Sequence, residues 1–169
     1  GMDLAIRVGT LSDSSLIARR ICKVRHVICA SPAFFNRHGR PDTAEDLARL
    51  PSLCYGNARQ PSQWSFTRPD GTRGAVATQP RMVATSGDTL RAAAIGGLGV
   101  MCEPTFIVHE QLAEGSLTAV LTDHDWFDMS IYAVYPPTRH LSARARAFID
   151  FLIDRIGPVP AWEACLDKA

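Results

Sequence analysis

Apolar and polar positions alternate along most of this chain in short runs, and the period changes where glycine, proline or a polar loop intervenes. Leu4, Ala5, Ile6 and Val8 predict an opening strand that Gly9 stops, followed by a polar loop at Ser12, Asp13 and Ser14. Leu16 to Cys22 and Val24 to Ala30 read as two β-runs interrupted by Lys23. Ser31-Pro32 then places a cap residue before a proline at the first helical position, predicting a helix from Pro32 to His38 that ends at Gly39. Thr43 caps a short helix from Ala44 to Leu50, which Pro51 terminates. Ser52 to Tyr55 is a strand that leads into the polar loop from Gly56 to Ser62. Trp64-Ser65-Phe66, the turn Pro69-Asp70-Gly71 and the run from Ala75 to Thr78 together spell a hairpin, and Arg81 to Ala84 is one more short strand.

The most informative stretch is SGDTLRAAAIGGLGVMCEPTF, residues 86–106. Ser86 caps a helix whose positions Leu90, Ala93, Ala94 and Gly97 follow the i, i+3, i+4, i+7 stripe of an amphipathic face. Gly96, Gly97 and Gly99 end it, Val100 to Cys102 is a buried strand, and Pro104 opens another helix that runs to Ala113 and stops at Gly115. This succession of helix, glycine turn, strand and helix is α/β architecture. Leu117 to Leu121 is a strand, Thr122 to Asp128 a polar connection holding Trp126, and Met129 to Tyr135 a strand closed by Pro136-Pro137. Ser142 caps a final helix with Ala145, Phe148, Ile149, Leu152, Ile153 and Ile156 on one side, and a tail of no assigned structure follows Gly157.

Composition narrows the function classes. The 169 residues suit one domain or two small lobes, with 18 Lys+Arg against 17 Asp+Glu and a net charge of +1. Counterion release from phosphates rewards clustered basic residues, but the densest set here, Arg19, Arg20, Lys23 and Arg25, lies in a strand-like run and reads as a solvated face. These residues alone give no reason to expect direct DNA binding. The five cysteines, an odd number without CxxC spacing, fit small buried hydrophobes better than zinc ligands or a disulfide framework. No signal peptide or long apolar span is legible, which predicts a cytoplasmic chain with no membrane partner.

Candidate chemistry is thin. Five histidines, His26, His38, His109, His124 and His140, stand outside any HExxH or HxH spacing, so no metal site and no cofactor are expected. Ala84-Thr85-Ser86-Gly87 lacks the first glycine of a nucleophile elbow, and Asp13 and Asp88 fall where capping explains them. The glycines at 96, 97 and 99 follow a helix and precede a strand, the reverse of a phosphate loop. No catalytic residue is assigned. What remains is a set of polar residues at element ends: Thr10 and Ser12 after a strand, Ser86 and Gly87 at a helix start, and Glu103 and Thr105 between strand and helix. Ligands of open α/β sheets settle at such ends.

The ordered run DLAIRVGTLSDSSLIARRI, VICASPAFF, DLARLPSLCY, WSF, LRAAAIGGLGVMCEPTF and IYAVYPPTRHLSARARAFIDFLID resembles the effector-binding domain of LysR-type transcriptional regulators, from Asp3 to about Ile156. The resemblance implies a two-lobed fold like the type II periplasmic-binding proteins, with the first lobe incomplete. On that reading, residues 2–27 and 129–156 are what is present of lobe I, 28–128 form lobe II, and 157–169 are a tail. It also implies an effector site at Thr10, at Thr85, Ser86 and Gly87, and at Glu103 and Thr105. The effector would be a small molecule, in the family commonly an organic or aromatic acid. Glu103 stands where many relatives carry an aliphatic residue, and a carboxylate there disfavours an anion. DNA contact would come only through an N-terminal helix-turn-helix domain absent from this chain. Uncovered strand and helix faces of the first lobe would promote self-association.

Competing readings are a solute-binding protein of the same fold, a truncated remnant that senses nothing, and a small α/β enzyme using His26 or His140 with Asp13.

Overall fold

In the computed structural model, which describes residues 4–10, 15–137 and 141–166, the chain divides into two compact units. Unit 1 comprises residues 1–24 and 128–161, and unit 2 comprises residues 25–127 and 162–169. The elements in order are β1 (Ala5–Gly9), β2 (Ile17–Ala30), α1 (Pro32–His38), β3 (Pro51–Tyr55), β4 (Gln63–Thr67), β5 (Arg73–Ala77), β6 (Gln79–Ala84), α2 (Gly87–Ile95), β7 (Val100–Pro104), α3 (Thr105–Glu114), β8 (Thr118–Val120), β9 (Asp125–Tyr135) and α4 (Ala143–Ile156). Short 3-10 helices cover Ala44–Arg49 and Ala161–Cys165.

Unit 2 is a sheet with both faces covered. β3 lies parallel to β6 and β7, while β2 runs antiparallel to β7 and to β8. The β4–β5 hairpin joins β9 at Phe66 opposite Trp126. Successive side chains of a strand point to opposite faces, and here both faces are buried. Ile28, Ala30 and Cys102 face Phe34, Leu47, Phe66 and Trp126 on one side. Val27, Cys29, Leu53 and Met101 face Leu90 and Ala94 of α2 and Val108 of α3 on the other. A strand buried on both faces reads as an unbroken apolar run, which is the pattern of VICA and VMC.

Several local expectations hold. Ser31 caps α1, with its hydroxyl accepting from the Phe34 amide, and Gly39 ends it. Ser86 and Ser142 cap α2 and α4 in the same way. The glycine turn is geometric: Gly97 sits at φ +74°, and a Cβ at Gly99 would lie 2.7 Å from the Pro51 carbonyl oxygen. Only glycine meets the first need without strain and the second without moving backbone.

Others are corrected. The two runs around Lys23 form one continuous strand, because the exposed lysine simply takes the solvent side between buried Cys22 and Val24. Residues 44–49 form a 3-10 helix rather than an α-helix, and Pro51 begins β3 instead of only ending that helix. Pro104 ends β7 in extended geometry and α3 starts at Thr105. Trp126, expected in a connection, lies in β9 almost fully buried, its indole N–H donating to the Leu121 carbonyl. The tail carries the helix Ala161–Cys165.

Unit 1 is thinner. β1 pairs with β9, Ala5 opposite Val134 through Gly9 opposite Ser130. Ile21, Ala133 and Ile149 are its buried core, packed by Leu152, Ile153 and Ile156 of α4. Phe148, expected on that packed side, is 46% exposed, and Phe151 is 60% exposed. The inward stripe runs through Ala145, Ile149, Leu152 and Ile156, and Phe148 falls on the flank beside Phe151. Ile6 and Val8 of β1 are also exposed.

Candidate functional site

The parallel strands of unit 2 bring three chain ends to one edge of the sheet. Tyr55 lies opposite Ala84, so the loops after β3 and β6 start side by side. The Gly56 amide donates to the Ala84 carbonyl at 2.8 Å, and a Cβ on Gly56 would come within 3.4 Å of the Thr85 methyl. Gly56 was not among the residues singled out from sequence; its glycine in a polar loop was the available signal. Thr85 and Ser86 are exposed here, and Gly87 is partly exposed.

Glu103 belongs to the same edge. Alternation along β7 turns it to the side of Met101, toward α2 and α3. A Cβ built on Gly87 would sit 3.1 Å from Glu103 Oε2, with Ile107 of α3 also at hand. The carboxyl therefore lies against the first residue of α2, where helical amides and the helix dipole favour negative charge. Glu103 is only 4% exposed, and its Oε1 accepts no hydrogen bond. Burial pushes its pKa up to about 7, since a carboxylate without water or a cation loses solvation. The buried Cys29 and Cys102 thiols are also pushed up, by burial first and by the Glu103 charge second, so neither is a ready nucleophile.

Thr105 has a different setting. It is fully buried, and its hydroxyl lies 2.6 Å from Glu163 Oε1 and 3.2 Å from the Arg25 carbonyl. Arg25 in turn donates to the Thr122 carbonyl, and Trp162 meets Phe106 edge-on at 6.1 Å. Thr105 thus fastens the C-terminal helix to the start of α3, and its one proton is spent inside unit 2. Glu163 gave no signal in sequence, because the contact spans 58 positions from an unpatterned tail.

The structure brings Thr85, Ser86, Gly87 and Glu103 together. Thr10 is exposed after β1 in unit 1. Ser12, Asp13 and His140 lie outside the described residues. His26 is buried opposite Pro104, its ring edge-on to Phe127 at 5.2 Å. An open apolar cavity of about 220 Å³, lined by Leu112, Leu117, Ala119 and Cys165 among others, shares no residue with the six candidates. No helix among the described residues is long and apolar enough to cross a membrane.

Comparison with known proteins locates this arrangement. Residues 1–157 match the family described as LysR substrate binding domain. The chain is 32% identical over 157 residues to the HTH-type transcriptional regulator CrgA of Neisseria meningitidis serogroup C, covering 92% of this chain and 52% of that protein. The CrgA regulatory domain structure superposes with a TM-score of 0.75 at 31% identity, over 92% of this chain and 76% of that one. The full-length structure of AphB, the Vibrio cholerae virulence activator, gives 0.74 at 34% identity, over 90% and 51%. The chain spans about half the length of the curated relatives it matches. Its mixed α/β fold is that of LysR regulatory domains, which is like the type II periplasmic-binding proteins. By sequence over nearly its whole length and by fold, the chain belongs to the LysR substrate-binding domain family.

Proposed function

We propose that this chain is the effector-sensing part of a bacterial LysR-type transcriptional regulator, with a small molecule bound at the sheet edge formed by Thr85, Ser86, Gly87 and Glu103. The observation that carries this reading is the family match over residues 1–157. The edge supports it with exposed polar groups at the carboxyl ends of parallel strands, next to a helix start. Thr105 contributes by holding the first turn of α3 in place. For Thr10, the family resemblance alone supports an effector contact.

The chain is a binding module rather than a catalyst on this reading, acting in the cytoplasm, and it reaches DNA through a helix-turn-helix domain elsewhere in the intact regulator. Relatives named as HTH-type regulators, about twice as long as this chain, support that assignment. Units 1 and 2 stand for the two lobes expected at 2–27 with 129–156 and at 28–128. The exposed Ile6, Val8, Phe148 and Phe151 support self-association through unit 1.

The test is thermal unfolding of the chain against small acids, amines and amino acids. A ligand at 100 times its dissociation constant adds about 2.7 kcal/mol, or roughly 5–10 °C for a chain of this size. The expected result is a shift from one chemical class, weakened by Ser86→Ala. A cooperative melt that no compound in the panel moves would count against the sensing role.

A further inference from the structure

We propose that the Glu103 carboxylate fills the anion position at the start of α2 and that this carboxylate is the acceptor for a protonated amine on the effector. This inference rests on the effector-sensing role and adds the chemical class of the ligand. Three observations carry it. First, the carboxyl lies against Gly87, the first residue of α2, so the position an incoming carboxylate would seek at that helix end is occupied by the protein's own. A second anion there would meet Glu103 at close range, and like charges at such distances disfavour each other strongly.

Second, Oε1 is buried and accepts no hydrogen bond. A buried acceptor left unmade is costly, and native structures rarely keep one without a reason. Of the side chains shown near the carboxyl, Ile107 is apolar, Cys29 offers only a weak thiol donor, and Thr105 is committed to Glu163. Arg91, the nearest cation along α2, is engaged with Asp88 and with the Ile107 carbonyl. None of these groups supplies Oε1 with a strong donor.

Third, one side of the carboxyl is open at Gly87. Gly87 is partly exposed and presents no side chain above Oε2, the carboxyl oxygen nearest it, while Thr85 and Ser86 are exposed beside it. A primary ammonium brings three donors and a positive charge through a gap of this kind. A charge-assisted bond to a carboxylate with little water around it is among the stronger single polar contacts available. It would also hold Glu103 ionised in a setting that otherwise favours the neutral acid.

Benzylammonium, benzyl alcohol and benzoate share a ring and differ only in the polar group, which makes them the probes. Their binding to the 169-residue chain is read from the backbone amide shifts of Ser86, Gly87 and Asp88. The expected order of affinity is ammonium, alcohol, benzoate, with Glu103→Gln weakening the ammonium at least tenfold and leaving benzoate equal or tighter. Gly87→Ala, which places a Cβ 3.1 Å from Oε2, should weaken the ammonium severalfold. Glutamine has nearly the size of glutamate, and circular dichroism verifies that the variant is folded. Benzoate binding at these amides more tightly than benzylammonium, with Glu103→Gln making no difference, overturns this inference and leaves the sensing role intact. No probe binding at any charge overturns both.

Discussion

Units 1 and 2 are built from the same kinds of residue and reach different densities of burial. In unit 2, apolar residues of both parities along β2 and β7 are used, because helices cover one face and α1 with the aromatic hairpin covers the other. In unit 1, the buried cluster is Ile21, Ala133 and Ile149, and apart from buried Ala145 the remaining apolar side chains of β1 and α4 divide between half-buried and exposed. A run of apolar residues therefore specifies a strand in either unit, but only a second covering layer turns that strand into core. The same doubly covered sheet lets unit 2 strip water from a carboxylate. An ion pair of unit 1, Arg19 with Asp150, stays about half exposed, where such pairs add little.

The largest effect that separates the units should come from truncating aromatic side chains. Trp126→Ala empties a nearly fully buried site in unit 2 and should cost about 3–5 kcal/mol. Phe151→Ala, at 60% exposure in unit 1, should stay within about 0.5 kcal/mol. Denaturant unfolding of both variants decides it, and equal losses would erase the contrast.

Next in size is a pH effect located at Glu103. Its pKa is raised from 4.5 to about 7 in the folded chain, so between those values the folded state binds more protons than the unfolded state. Stability from this group is therefore full below about pH 4.5 and is lost as pH rises through 7, by about 3 kcal/mol at most. Glu103→Gln should flatten that slope and make the protein more stable than wild type at pH 8. Melting temperatures of the pair across pH 5–8 are the measurement.

Hydrogen exchange gives a finer version of the comparison. Amides of Ile21 and Ala133 should exchange through a local opening at least about tenfold more populated than the one exposing Leu53 and Met101, a gap of about 1.4 kcal/mol. Uniform protection would make the two units one cooperative block. The smallest expected effect is at a cap: Ser142→Ala removes the bond to the Ala145 amide and should cost about 1 kcal/mol, detectable as earlier melting of α4.

How far the sequence announces all this depends on whether the cause is local. Ser31-Pro32 with Gly39, Ser86 with its glycine turn, and the turn at residues 69–71 are legible because cap and turn chemistry act within a few residues. The unbroken β2 and the strand position of Trp126 were missed, because a lysine on an open face and polar residues around a tryptophan look like interruptions until the neighbouring strands are in place. Among the candidate site residues, Gly87 and Glu103 were chosen for their positions at element ends. Their contact was not readable, since a strand buried on both sides gives no cue to which face a glutamate takes. The commitment of Thr105 to Glu163 was hidden more deeply, in a tail without period or cap signal.

That last contact has a consequence for where this protein can be cut. The match to the family model ends at residue 157, which invites a boundary just after α4. Yet Trp162 rests on Phe106 and Glu163 takes the Thr105 hydroxyl, so a chain ended there would lose the clasp that shuts the first turn of α3. The edge of the family match and the mechanical edge of the fold differ by several residues, and a fusion or truncation planned from the first would loosen the second.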